Sequence, residues 1–74
     1  MDTNGKIFVV QQGAVSYERT DVVTFVFLNE ADARRKYEYL SENRVVKCDA
    51  YDATWESIHA VEPGGEVTQE NALV

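Results

Sequence analysis

Cys48 and His59 are the one nucleophile-and-base pair of the cysteine-hydrolase type in this sequence, since the chain holds one cysteine and one histidine. Cysteine hydrolysis needs a thiolate, and an adjacent imidazole is the common way to generate it. The pattern around Cys48 points elsewhere. In an extended segment it shares a face with Val46 and Ala50, which reads as a small core residue with an inert thiol. One cysteine and one histidine also fall short of the four ligands of a structural zinc site. His59 alone is read as a surface or satisfied strand residue rather than a pH switch.

Asp49, Asp52 and Glu56 crowd together next in the sequence. Paired carboxylates do acid–base work when a pocket drives their pKa values apart. A chain this short seldom encloses such a pocket, and no calcium-loop spacing is present. Arg34, Arg35 and Lys36 form the one basic cluster. On a helix they spread over about 200°, and Arg34 has Glu30 and Glu38 four residues to either side, which favours pairing within the helix. The glycines Gly5, Gly13, Gly64 and Gly65 do not make a phosphate-cradling loop. The sequence therefore predicts no catalytic residue, no cofactor and no metal site.

The 74 residues carry seven Lys and Arg against thirteen Asp and Glu, a net charge of −6. All seven bases lie in residues 1–47, where seven acids balance them. Residues 48–74 carry six acids and no base. That half repels nucleic acid and anionic membrane, so direct nucleic-acid binding is not expected. Residues 1–6 lack the basic and apolar regions of a secretory signal, no apolar run reaches the roughly 20 residues of a membrane span, and a lone cysteine fits a reducing compartment. A cytoplasmic location is the expectation.

The elements that must position these residues read as strand, strand, helix, strand. Residues 6–12 and 21–28 are rich in Val, Ile and Phe and suggest an antiparallel hairpin, with Gly13 ending the first strand or making a bulge. Asn29 is a good N-cap for a helix over 30–42, whose inner stripe is Ala33, Tyr37 and Leu40. Asn43 suits a left-handed C-terminal cap. Residues 45–51 read as a third strand. Residues 52–61 fit either a further strand or a sparse helix, and their Thr, Trp, Ile and Val content favours extended structure. The sequence thus predicts an α+β domain over residues 1–62, an antiparallel sheet of three or four strands with one helix on one face. Residues 63–74 are expected to be a flexible acidic tail.

Both hairpin strands are apolar on both faces. A sheet with one wet face should alternate, and one helix covers one side. The second side must be covered by the 52–61 segment, by a second copy, or by a partner, because a bare patch of that size is rare on a monomer. Self-association into a homodimer is the expectation. Tyr39, Tyr51 and Trp55, with Asp49, Asp52 and Glu56 as an acidic rim, are the candidate partner-binding residues.

The stretch VFLNEADA at Val26–Ala33, followed by Tyr37 and Leu40, resembles the strand and capped helix of small bacterial and phage proteins. The resemblance covers about residues 6–51 and assigns no residue a role. The residues point to a non-catalytic module that occludes or bridges a protein partner through an apolar-aromatic, acid-rimmed surface, and the resemblance suggests a phage- or plasmid-type inhibitor of a host enzyme as one version. The alternatives are a nucleic-acid-associated regulator using the basic helix face, and a nucleic-acid mimic using the acidic half.

Overall fold

The two segments rich in β-branched and aromatic residues are extended in the computed structural model of the protein, which describes residues 5–45 and 53–74. Strand β1 spans Ile7–Val15 and β2 spans Thr20–Phe27. They pair as an antiparallel hairpin from Val15 opposite Thr20 to Phe8 opposite Phe27. The Ser16 N–H closes the turn by donating to the Arg19 carbonyl at 2.8 Å.

Helix α1 spans Glu30–Glu42, the span the sequence predicts. Asn29 Oδ1 accepts from the Asp32 N–H at 2.8 Å, filling one of the donors left open in a first turn. Strand β3, Ala53–Val61, pairs antiparallel with the other edge of β1, Ile7 opposite Val61 and Val15 opposite Ala53. The sheet order is β2-β1-β3. The fold is α+β: a three-stranded antiparallel sheet with one helix against one face. Phe8, Val10 and Ile58 from the sheet meet Ala33 and Leu40 from the helix in the buried core, with Phe25, Phe27 and Tyr37 around them.

Several expectations are corrected. Gly13 neither ends β1 nor makes a bulge; it pairs in register with Val22 on one side and Trp55 on the other. Asn43 is not a left-handed cap, having φ −136° and ψ 126°. Side chains satisfy the last carbonyls of α1 instead. Asn43 Nδ2 donates to the Tyr39 carbonyl at 2.9 Å and the buried Gln12 Nε2 donates to the Leu40 carbonyl at 2.9 Å. The expected strand at 45–51 lies outside the described residues except for Val45, which is not in a strand. The 52–61 segment joins the edge of the sheet, so it does not itself cover the face opposite the helix.

The tail is also corrected. Expected to be flexible, residues 63–74 fold back on β3. Gly64, at φ +85°, turns the chain, and the Gly65 N–H donates to the Glu62 carbonyl at 2.7 Å. After a 3₁₀ turn at Gln69–Asn71, Ala72 bridges His59, and the Leu73 N–H donates to the Ile58 carbonyl at 2.9 Å. Leu73 packs against the core. An edge strand has unpaired backbone groups, and Leu73 supplies the apolar side chain that makes pairing with them favourable.

Candidate functional site

Side chains alternate across a strand, so the pairing register sorts the sheet into two faces. Away from the helix, Val9 lies between Val26 and His59, and Gln11 between Thr24 and Ser57. Gly13 lies between Val22 and Trp55, and Val15 between Thr20 and Ala53. No strand position on this face is Asp, Glu, Lys or Arg. The charged strand residues Asp21 and Glu56 fall on the helix side. A sheet with one wet face normally shows the reverse.

This face is open where β2 and the start of β3 contribute. Val26 is 58% exposed, Val22 46%, Trp55 37% and Val15 37%. Leu28 and Tyr17 extend the apolar surface at its ends, both strongly exposed. The indole of Trp55 lies over Gly13, and a Cβ there would sit 2.3 Å from its Cε2 and Cζ2. Glycine here serves close approach, since its φ is not positive. The polar members of the face are uncharged, and Gln11 Nε2 donates to Thr24 Oγ1 at 3.2 Å.

At the far end of β3 the docked tail covers the same side of the sheet. His59 is buried, and its Nδ1 lies 3.0 Å from Asn71 Oδ1. Asn71 also accepts from the Thr68 N–H at 3.1 Å and donates from Nδ2 to the Glu66 carbonyl at 2.9 Å. One amide therefore ties the tail both to itself and to β3. Asn71→Ala is expected to remove about 1–2 kcal/mol of local stability. Amide exchange at Leu73 is the measurement, and an unchanged rate there counts against the anchoring role.

The candidate residues named from the sequence do not converge. Tyr39 is exposed on the helix, 5.1 Å from Lys36 Nζ to the ring centroid. Trp55 lies on the open face of the sheet. Glu56 lies on the helix side, its Oε2 3.4 Å from Gln12 Nε2. Asp49, Tyr51 and Asp52 are outside the described residues, as is Cys48. The surface residues the sequence reading passed over are Val15, Val22 and Val26. The signal for them was present in β2, where the positions sharing Val22's side read Thr, Val, Thr, Val without a charge.

The basic cluster is engaged within the chain. Arg34 Nε donates to Glu30 Oε2 at 2.7 Å, and Arg35 pairs with Asp32. Lys36 Nζ lies 4.3 Å from the centroid of the Phe25 ring, within range of a cation–π contact.

Clefts flank the sheet among the described residues. One of about 360 Å³ lies beside Gln12, Asn43 and Glu56. Another, about 410 Å³, lies between Val61 and the tail residues Thr68 and Asn71. Among the described residues, no three of His, Cys, Asp and Glu cluster so as to hold a metal ion, and no helix is long and apolar enough to cross a membrane. Comparison with known protein families, with curated proteins and with solved structures finds no match.

Proposed function

We propose that the protein is a non-catalytic binding module that acts by occluding or bridging a protein partner through the open face of its sheet. The observation that carries this reading is the exposed group Val15, Val22, Val26 and Trp55 on a face without formal charge. Exposed apolar side chains gathered on one uncharged face, here on either side of the polar row Gln11, Thr24 and Ser57, favour an interaction surface, and the rigid sheet presents them without an ordering penalty. An inhibitor of the phage or plasmid type, working in the cytoplasm, is the concrete version that the resemblance at Val26–Ala33 suggests. Regulation through nucleic acid is less well supported, because Arg34 and Arg35 are already paired and Lys36 stacks on Phe25.

Affinity capture from the native cell tests the reading. Wild-type protein and a Tyr39→Ala variant should retain the same partner, whereas Val22→Glu with Val26→Glu should lose it. If the doubly charged face retained that partner as well as wild type does, the open face would not be the binding surface.

A further inference from the structure

We infer that the first occupant of the open face is a second copy of this chain, packed sheet against sheet about a two-fold axis. This rests on the reading of the open face as a binding surface, and it goes further by naming what sits there. The argument is electrostatic. Each copy carries −6, and net charge of that size opposes self-association through most surfaces. An isologous contact places the same patch on both sides, so any charge in it tends to meet its own kind. The open face is the broad surface of the sheet on which no strand position is Asp, Glu, Lys or Arg, which makes it compatible with itself. A strongly charged partner would find nothing there to pair with.

The dimensions agree with a small, reversible interface. Three strands of eight to nine residues give a face of about 30 by 14 Å, or about 400 Å² in projection, of which the docked tail covers the His59 end. Two such faces bury less than about 800 Å², short of the roughly 1,200 Å² of stable interfaces and in the range of a weak, reversible contact. Face-to-face sheets stack about 10 Å apart, so Val22, Val26 and Trp55 would interdigitate with their counterparts.

The test is solution mass by sedimentation equilibrium over a concentration series, at low and high sodium chloride. Wild type should approach twice 8.4 kDa at high micromolar concentration and fall toward one copy on dilution. Added salt should tighten it, because screening relieves repulsion between two −6 bodies while leaving the uncharged contact intact. Val26→Glu should stay monomeric throughout, and Glu38→Gln, on the exposed side of the helix, should behave as wild type. Should Val26→Glu lose its circular dichroism signal, the double variant Val22→Thr, Val26→Thr, which keeps strand propensity, is read in its place. Wild type that stays monomeric at high micromolar concentration overturns the inference. So does a dimer that the face variants leave intact, since that assembly would use another surface such as the free edge of β2. Monomeric wild type whose face variants still lose a captured partner would sink the dimer alone and leave the binding reading standing.

Discussion

Gln12→Leu is expected to lower the stability of the protein by about 3 kcal/mol, the largest effect of any single change considered for this fold. Gln12 is 1% exposed and sits on the helix side of β1. Its Nε2 donates to the Leu40 carbonyl at 2.9 Å and the Asn43 carbonyl at 3.1 Å. Its Oε1 accepts from the Val45 N–H at 2.9 Å. The amide orientation is fixed by that set, because reversal would point an oxygen at two carbonyls. Leucine has similar bulk but no polar atoms, so it removes these three bonds, leaving their backbone partners without a replacement, and also the longer one to Glu56 Oε2 at 3.4 Å. A domain of 74 residues holds roughly 4–11 kcal/mol in total, so the loss is a large share of it. Urea denaturation gives the measurement. A loss under about 1 kcal/mol would mean that water replaces the amide and that α1 does not depend on it.

Gly13→Ala is expected to destabilise by about 2 kcal/mol and to shift the emission of Trp55 to the red. Alanine is ordinarily the better strand residue by about 0.5–1 kcal/mol. Here its methyl would meet the indole at 2.3 Å, so the ring must leave the sheet surface and enter water. The chain has one tryptophan, which makes its fluorescence a direct report of that movement. The second prediction is a change of sign. In a Trp55→Ala background the same Gly13→Ala should be neutral or stabilising, because the obstacle is gone. Equal costs in both backgrounds would show that the backbone, and not the ring, requires glycine.

Those two residues also mark where the sequence is readable and where it is not. The helix is legible to its ends, because Asn29, Glu30 and Asp32 start it by local chemistry and Ala33, Tyr37 and Leu40 give it one inner stripe. The hairpin is legible because Val, Ile and Phe dominate two runs separated by a short polar link. Gly13 misleads, because a glycine in a run of β-branched residues ordinarily signals a break. Its role depends on Trp55, which comes from a strand far along the chain. Gln12 is similarly silent, since nothing local says that a glutamine will be buried under the end of a helix. The tail misleads by composition: Glu66, Glu70 and the glycines read as solvent-loving, and the contacts that dock it run through Asn71 to His59 and through Leu73 to Ile58. Tyr39 and Trp55 were grouped as aromatic surface, yet helix and sheet geometry place them on different sides. The uncharged face was legible in pieces, in the spacing of Val22 and Val26, but only the register with β1 shows that Trp55 and Val15 join them.

The strand order β2-β1-β3 has a consequence for how the chain is made. The central strand comes first in the sequence, and its two neighbours reach it at different times. The hairpin partner follows directly, so β1 and β2 can pair while the rest of the chain is still being synthesised. The other edge of β1 waits for Ala53–Val61, because Ile7 pairs with Val61. Contacts so distant along the chain slow folding, and an open apolar edge during that delay invites pairing with a neighbouring nascent chain. That strand lies within residues 48–74, the half that carries six acids and no base. A chain cut before residue 48 would be neutral with that edge of β1 open, whereas residues 48–74 close it and add a charge of −6.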